Sequence, residues 1–264
     1  MKKGNTIFFN KPRIRSYAAV CGSKEKEGVI GGYADITLSD DMYGESTYEK
    51  AECKMLSNAI SLAIDKGALK DGDVDALFSG DLLNQIISAS FAARDYQFPF
   101  LGLYSACSTM SESMLLSAVM IDGGFAKNCV AATGSHFASA ERQYRYPLEL
   151  GCTRPPQSQW TVTGAGACVI SDGVGDIKIT GATLGRVRDW GVSDVNNMGA
   201  AMAPAAADTI LCHFKDTNTR PEDYDIIVTG DLGALGSRIL KDLTWEKGYD
   251  ISSNHVDCGE IIYK

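Results

Sequence analysis

A ten-residue segment occurs twice in this sequence. Residues 73–82 read DVDALFSGDL and residues 223–232 read DYDIIVTGDL, so the copies lie 150 residues apart, align without gaps and share half of their positions. Each copy follows an apolar helical pattern and precedes another one. Because the surrounding pattern repeats along with the segment, duplication explains the match better than chance. The sequence therefore predicts two similar halves built from the same elements.

Strand and helix patterns alternate around the first copy. We predict, in order, a helix over residues 46–67, a strand over 74–78, a helix ending near Arg94, a strand over 100–104, a helix from about residue 109 and a strand over 129–133. Elsewhere we predict strands over 17–20, 161–171 and 176–187 and a helix over 198–214. The alternation in the first half is typical of a largely parallel sheet with helices on its faces.

Cys107 lies between the strand pattern over 100–104 and the helix pattern that follows it. A strand that turns into a helix with almost no loop places the residue at the bend beside the N–H groups of the helix start. Those groups favour negative charge, so a thiol there ionises more readily or an acidic ligand docks next to it. Thr109 and Glu112 have the spacing of a capping box, which would begin the helix just after Cys107. The alternative is that Cys107 is a buried small hydrophobe, as most unpaired cysteines are.

Charge and cysteine usage argue against several kinds of function. The formal net charge of -8, with no basic stripe to offset it, argues against nucleic acid as the main partner, so an acidic ligand must meet a local basic pocket. The 8 cysteines show neither CxxC pairs nor Cys/His ligand spacing, which indicates a reducing compartment, no structural zinc and no metal site. Gly164 and Gly166 precede neither a helix nor a Lys-Ser/Thr pair, so we expect no nucleotide loop and no cofactor. No signal peptide or membrane span is expected.

Residues 134–160 form a long irregular insert in this prediction and carry several basic side chains. His136 directly follows a strand end, so it either reaches the same cavity as Cys107 or is a surface loop histidine. Arg142, Arg145 and Arg154 are solvated surface residues unless a ligand recruits them. His213 falls in the last turn of the helix over 198–214, which favours a structural role.

Four segments together carry a family resemblance: YSACSTMSES (104–113), ATGSHFASAERQYRYPLE (132–149), RPPQSQWTVTGAGA (154–167) and YDIIVTGDLGALGSRIL (224–240). With the duplicated α/β halves they resemble the thiolase-like superfamily of acyl-transferring and condensing enzymes, and within it the stage V sporulation proteins of spore-forming bacteria. The resemblance implies an α/β fold of two duplicated βαβαβ halves in a layered αβαβα arrangement. We assign the first half to residues 1–172, including the insert, and the second to residues 173–264, and we expect the second half to be incomplete at its C-terminus.

The resemblance also implies a function. It implies binding of dipicolinic acid (pyridine-2,6-dicarboxylate) in a pocket related to the thiolase active site, and uptake of this acid into the developing spore. The implied partners are other proteins of the same stage V membrane complex, which would hold a cytoplasmic-type soluble protein at the spore inner membrane; a homodimer is left open. Cys107 occupies the position of the nucleophile. Elbow amides near Cys107 and Ser108 would serve one carboxylate, and His136, Arg145 or Arg154 the other.

One departure from the family pattern argues against catalysis. Condensing enzymes carry a histidine just after the second-half strand, whereas Thr229 is followed here by Gly230 and Asp231. His255 lies in a polar SSNH segment, which predicts a solvated loop residue rather than a replacement. We therefore expect a binding protein without a catalytic residue. The alternatives are a cysteine-dependent acyltransferase and a scaffold that only docks partner proteins.

Overall fold

The computed structural model describes residues 1–147, 150–151, 153 and 155–263. The strands are β1 (Lys2–Lys3), β2 (Thr6–Phe8), β3 (Pro12–Cys21), β4 (Ile36–Thr37), β5 (Ala76–Gly80), β6 (Phe100–Gly102), β7 (Asn128–Ser135), β8 (Gly164–Asp172), β9 (Ile177–Lys178), β10 (Gly181–Thr183), β11 (Ile227–Thr229) and β12 (His255–Asp257). The α-helices are α1 (Tyr48–Lys66), α2 (Ile87–Ala93), α3 (Thr109–Asp122), α4 (Phe137–Tyr144), α5 (Met198–Thr217), α6 (Gly233–Trp245) and α7 (Cys258–Ile261).

The chain forms two compact units. The large unit contains Phe9–Leu150 and Thr161–Thr180, and the small unit contains Met1–Phe8, Gly151–Trp160 and Gly181–Lys264. Each unit is thus assembled from segments that are separate in sequence. The division into halves at residues 172 and 173 stays a prediction, because the contacts do not part the chain at a single position.

A mixed sheet forms the centre of the large unit. Its strand order is β4-β3-β8-β7-β5-β6, and β9 pairs with β3. Strand β5 is parallel to both β6 and β7, whereas β8 is antiparallel to both β7 and β3. The short strand β6 lies at one edge of the sheet.

The sheet of the large unit separates two apolar cores. Leu77 of β5 packs with Met55 and Leu56 of α1, while its neighbours Ala76 and Phe78 pack on the other face. On that other face, Ile121 of α3 belongs to the same cluster as Phe78. This division follows from the two-residue period of a strand, which sends successive side chains to opposite faces. Because both faces are covered, β5 is buried along its whole length, as its continuous apolar pattern predicted.

The small unit contains two short sheets. Strands β1, β2 and β10 form one, and the parallel pair β11 and β12 forms the other. Its apolar cluster joins Phe214 of α5, Leu240 of α6 and Ile251. His213, predicted to be structural, is half-buried with Nδ1 2.7 Å from Thr183 Oγ1 and Nε2 2.9 Å from the hydroxyl of Tyr224.

The duplication is confirmed in the elements around both copies of the repeat. In each unit a long helix, α1 or α5, leads through a 3-10 turn into the repeated strand, β5 or β11. The turns match in detail: the Lys70 N–H donates to Asp73 at 2.9 Å, and the Arg220 N–H donates to Asp223 at 2.8 Å. The next strand then pairs in parallel with the repeated strand, β6 with β5 and β12 with β11.

Two predicted elements are wrong in part. The insert over 134–160 is not irregular throughout, because β7 extends to Ser135 and α4 follows directly. The predicted strand over 176–187 is divided into the short strands β9 and β10. The other predicted helices and strands are present, with ends shifted by a few residues.

Candidate functional site

A sharp junction joins edge strand β6 to helix α3. A 3-10 turn over Ala106–Ser108 separates them, and Ala106 has a φ of 45°, in the left-handed region that a residue with a Cβ rarely adopts. Cys107 and Ser108 follow, and both are exposed. The elbow expected from the sequence is therefore present, and the alternative of a buried Cys107 is wrong.

The predicted capping box at this junction is wrong. Helix α3 begins at Thr109, and its hydroxyl turns back to donate to the Ala106 carbonyl at 2.8 Å. The Ser108 N–H donates to the Ser105 carbonyl at 3.0 Å, so this amide is engaged within the turn. The hydroxyl of Ser108 is hydrogen-bonded to that of Ser105. The Ser108 hydroxyl also donates to the Ser105 carbonyl at 3.0 Å, so both donor groups of Ser108 are engaged within the turn.

Tyr144, at the end of α4, is electrostatically coupled to the elbow. Burial raises the pKa of its phenol, and Tyr104, Cys107, Asp81 and Glu52 raise it further. The hydroxyl of Tyr144 donates to the carbonyl of Leu82. The phenol of Tyr144 therefore interacts with Cys107 and with two acidic residues that the sequence analysis did not select.

Asp81 is the first of these acidic residues. It directly follows β5 and is buried, and its carboxylate accepts the Leu83 and Ala89 N–H groups, each at 2.7 Å. Burial raises its pKa, against the effect of these hydrogen bonds. Asp81 thus holds the segment in which Gln85 and Ile86 both adopt left-handed φ values. Its place in the repeat, at the carboxyl end of a parallel strand, was a signal that pointed to it.

Glu52 is the second acidic residue and lies on α1, fully buried. The Ser139 hydroxyl of α4 donates to its Oε2 at 2.7 Å. Burial raises its pKa to about 8, and the negative charge of Asp81 acts in the same direction, while hydrogen bonding lowers it. The spacing of Glu52 with Met55, Leu56 and Ala59 places it on the apolar face of α1, so the helical period pointed to its burial.

His136 has a structural role in α4. Its Nδ1 accepts the Ala138 N–H at 3.1 Å, which caps the helix, and its Nε2 lies 2.7 Å from the Asp41 carbonyl. Nε2 therefore carries the ring proton and donates. The side chain is 1% exposed, and burial lowers its pKa. Both ring nitrogens are used, so a carboxylate could bind His136 only by displacing one of these bonds.

The three predicted arginines differ in their surroundings. Arg145 has a 7% exposed side chain and an ion pair of 2.8 Å with Glu141, and its Nε has no hydrogen-bond partner among the described residues. Arg142 is exposed and pairs with Glu49. Arg154 lies outside the described residues. The prediction of a solvated surface residue is thus wrong for Arg145, which is buried against Glu141, and holds for Arg142.

A cleft opens beside α4 in the large unit. Its volume is about 460 Å³, and Glu49, Asn84, Ser139, Arg142 and Gln143 are among its lining residues. Cys107 does not line it. Ser139 does line it, and its hydroxyl donates to the buried carboxyl group of Glu52, so Ser139 connects the cleft with this acid.

His255, predicted to be a solvated loop residue, is buried on β12 in the small unit. It is 7% exposed, and its Nε2 lies 2.8 Å from the Thr229 hydroxyl, which in turn donates to Asp257 at 2.6 Å. Burial lowers the pKa of His255, and the positive charge of Lys241 lowers it further. The polar segment before it misled the prediction, because the side chain is buried through the parallel pairing of β12 with β11.

Two features bear on cofactors and membranes. Within the described ranges, no group of three or more His, Cys, Asp or Glu side chains is arranged to hold a metal ion. None of the helices in the described parts of the chain combines the length and the apolar character needed to cross a membrane.

Comparison with solved structures shows a thiolase-like fold. A histidine-to-asparagine variant of OleA from Xanthomonas campestris, solved with cerulenin, matches with a TM-score of 0.66 and 11% identity over 99% of this chain and 86% of that one. The 3-oxoacyl-(acyl-carrier-protein) synthase III from Aquifex aeolicus matches with a TM-score of 0.59 and 13% identity over 93% of this chain and 83% of that one. At such low identity these matches establish the fold alone.

Comparison of sequences gives a narrower result. The family model described as Stage V sporulation protein AD matches residues 2–264. The Stage V sporulation protein AD of Bacillus subtilis (strain 168) is 46% identical over 261 residues, which cover 99% of this chain and 77% of that protein. The chain therefore belongs to the Stage V sporulation protein AD family.

Proposed function

We propose that this protein binds dipicolinic acid and supports its uptake into the developing spore, without catalysing acyl transfer. Its family membership supports a role in sporulation. The observation that carries the binding part is the exposed thiol of Cys107 on a sharp junction before α3. The protein would act at the spore inner membrane through other proteins of the stage V complex.

The ligand is a planar dianion, and its shape limits the groups that can hold it. It needs a positive or donor group for each carboxylate and an apolar slot for the ring. The elbow at Cys107 and Ser108 would supply one end. For the other end Arg145 is favoured over His136, because its Nε is buried without a partner among the described residues whereas both nitrogens of His136 are bonded. Arg154 remains a predicted ligand residue.

The residues after β11 support binding rather than turnover. An acyltransferase needs a group to handle the proton of the reacting thiol. Gly230 and Asp231 occupy the positions where condensing enzymes carry that histidine. A shaped site with a thiol and without this base retains ligand recognition and loses the reaction.

Titration calorimetry with pyridine-2,6-dicarboxylate tests the proposal. We expect saturable binding by the wild type and roughly tenfold weaker binding by Arg145→Lys, which keeps the charge but loses the planar fork. Cys107→Ala should weaken binding, whereas Cys53→Ala, a half-buried thiol on α1, should not. Pyridine-2-carboxylate, which lacks one anchor, should bind more weakly. Absence of heat with the wild type at millimolar ligand would refute the proposal.

A cysteine-dependent acyltransferase is the second candidate, and the exposed thiol of Cys107 directly before α3 is the observation that favours it. Intact-mass measurement after incubation with acyl-CoA distinguishes the two functions. An acyl adduct on Cys107 that disappears in Cys107→Ala would favour the enzyme, and no adduct would favour the binding protein.

A further inference from the structure

A continuous chain of hydrogen bonds, the hydroxyl chain, runs through the small unit and contains His213. It starts at the carboxylate of Asp216 and passes, in order, through Thr6, Thr183, His213, Tyr224, Thr219 and Thr217. The Thr217 hydroxyl closes the chain on the backbone carbonyl of His213. The seven contacts measure 2.6 to 3.0 Å and connect strands β2 and β10, helix α5 and the turn before β11.

Asp216 is an acceptor at one end of this chain. It is buried on α5, and its Oδ2 accepts from the Asn5 N–H at 2.7 Å, the Thr6 hydroxyl at 3.0 Å and the Cys212 thiol at 3.7 Å. Burial raises the pKa of Asp216, but these hydrogen bonds outweigh burial and hold the pKa below its ordinary value. Asp216 is therefore an anion in neutral solution and gives no hydrogen to the chain.

The chain has one hydrogen fewer than it has contacts when His213 is neutral. The five hydroxyl groups supply five hydrogens and the neutral ring a sixth, whereas the seven contacts need seven. With the ring proton on Nε2, the empty contact would lie between Thr6 and Thr183. Because Thr6 is fully buried beside the Asp216 anion, unpaired acceptors cost most there. The ring proton is therefore favoured on Nδ1, and the empty contact lies on the Tyr224 side.

A second ring proton removes this shortage. His213 then donates from both ring nitrogens, to the hydroxyl oxygens of Thr183 and Tyr224. The Tyr224 hydroxyl turns to donate to Thr219, that of Thr219 donates to Thr217, and that of Thr217 donates to the carbonyl. Seven hydrogens then fill the seven contacts, each with one donor and one acceptor.

Asp216 is the charged group that acts on His213 among the described residues. Burial lowers the pKa of His213, and the negative charge of Asp216 acts in the opposite direction. From the other elements packed against the ring, Thr183 of β10 and Tyr224 before β11 contribute uncharged hydroxyl groups. Burial raises the pKa of the Cys212 thiol, which keeps its hydrogen and donates it to Asp216. The ring is therefore neutral in neutral solution and takes up a proton from the solvent in acid.

We propose that His213 is an acid-sensitive switch of the hydroxyl chain: its protonation reverses the hydroxyl groups of Tyr224, Thr219 and Thr217 and leaves the small unit folded. The reversal supplies the missing hydrogen and offsets part of the cost of burying a charged ring. The sheet of β1, β2 and β10 stays attached to α5 in both states. The switch does not need the proposed ligand, because all of its groups belong to the small unit whereas Cys107 belongs to the large one.

NMR titration follows the proton and the hydroxyl groups separately. The chain has 3 histidines, and His213→Gln identifies the imidazole signal of His213. We expect this signal to titrate with a midpoint below pH 6.5. The Cζ signal of Tyr224 should move with the same midpoint, because its hydroxyl stops donating to the ring and accepts from it instead. In His213→Gln the Tyr224 signal should not move over this pH range.

Two variants test the hydrogen count. Thr217→Val or Thr219→Val removes two contacts and one hydrogen, so the neutral ring completes the shortened chain and a second proton has no empty contact to fill. Each variant should lower the His213 midpoint by roughly half to one pH unit, the effect of about one hydrogen bond. Thr217→Ser keeps the hydroxyl and should titrate like the wild type.

Thr209→Val is the matched control on the same helix. Its hydroxyl is half-buried and donates to the Ala205 carbonyl at 2.9 Å, outside the hydroxyl chain, so the His213 midpoint should not change. An unchanged or higher midpoint in Thr217→Val and Thr219→Val would overturn the proposal. An equal fall in Thr217→Ser would do the same, since the methyl group and not the hydroxyl would then set the midpoint. A Tyr224 signal that stays fixed while His213 titrates would show that the hydroxyl groups do not reverse.

Discussion

Nε2 of His255 lies 2.8 Å from the hydroxyl oxygen of Thr229 on the neighbouring parallel strand. Because the Thr229 hydroxyl donates to Asp257 at 2.6 Å, it accepts from His255, and the ring proton lies on Nε2. Nδ1 is then an unprotonated, buried nitrogen with no hydrogen-bond partner among the described residues. Protonation of this ring would place a positive charge in a buried site, which explains why the pKa of His255 is lowered.

His255 should make stability depend on pH in mildly acidic solution. Since its folded pKa is depressed, the unfolded chain binds the proton first, and the folded state loses stability as the pH falls below about 6.5, by at most about 1.4 kcal/mol per pH unit. His255→Gln should remove this part of the slope. Urea unfolding at about pH 7 and about pH 5.5 measures it.

The comparison between variant and wild type matters because other groups titrate in the same range. His136 and His213 also have lowered pKa values and act in the same direction, whereas Glu52, with a raised pKa, acts in the opposite one. If His255→Gln and the wild type lose stability in parallel between these pH values, His255 is not a buried neutral ring.

The matching turns of the two repeat copies should contribute equally to stability. Asp73→Ala and Asp223→Ala each remove a side-chain acceptor from a backbone N–H, so each should lower the free energy of unfolding by about 1 kcal/mol. Thermal or urea unfolding measures the loss. Asp225→Ala, an exposed carboxylate in the same copy, is the control and should change stability by less than about 0.5 kcal/mol.

Ala106→Gly should stabilise the elbow. A left-handed φ of 45° strains any residue with a Cβ, and glycine removes that strain, so we expect a gain of about 1 kcal/mol. Ala118→Gly in the middle of α3 should destabilise by about 1 kcal/mol or more, because there the change weakens a helix and also removes a buried methyl group. Destabilisation by both changes would show that Ala106 does not occupy a left-handed conformation in solution.

Asp257→Asn should be strongly destabilising. The buried carboxylate accepts from the Thr229 hydroxyl and from the N–H groups of Leu232, Gly233 and Gly259. Asparagine has an NH2 group in place of one acceptor oxygen, and this donor would point at groups that are themselves donors. The free energy of unfolding, measured with urea, should fall by about 3 kcal/mol. The exposed Asp250→Asn is the matched change, and a similar cost at both positions would contradict the buried network.

The repeated segment and the apolar residues at helical spacing predicted much of the fold, because both are patterns that can be read directly along the sequence. Helix α4 was missed, since the prolines and arginines around it are typical of loops and since a histidine caps it where Ser, Thr, Asp or Asn is usual. The capping box at Thr109 and Glu112 had the correct spacing. It failed because the Ala106 carbonyl, brought close by a left-handed turn, takes the Thr109 hydroxyl instead.

The candidate site was predictable only where one segment supplies it. The position of Cys107 between a strand and a helix predicted the elbow, but the sequence left open whether the thiol is buried or, as the structure shows, exposed. The interactions of Tyr144 with Cys107, Asp81 and Glu52 depend on four segments that come together only in the folded large unit. No pattern within a single segment predicts such tertiary contacts, although the position of Glu52 on the apolar face of α1 was visible in the sequence.

Strand β5 supplies side chains to two cores in strict alternation, and this restricts how the gene can change. Deleting a single codon within it would exchange the contents of both layers at once, moving Leu77 to the side that Phe78 occupies. The two copies of the segment accordingly have the same length, and the halves differ in length only after it. Leu77 of the first copy pairs with Phe100. Ile227, at the matching position of the second copy, pairs with His255, which lies five residues beyond the position that the 150-residue shift gives. Tolerance of insertions thus begins where the alternating strand ends.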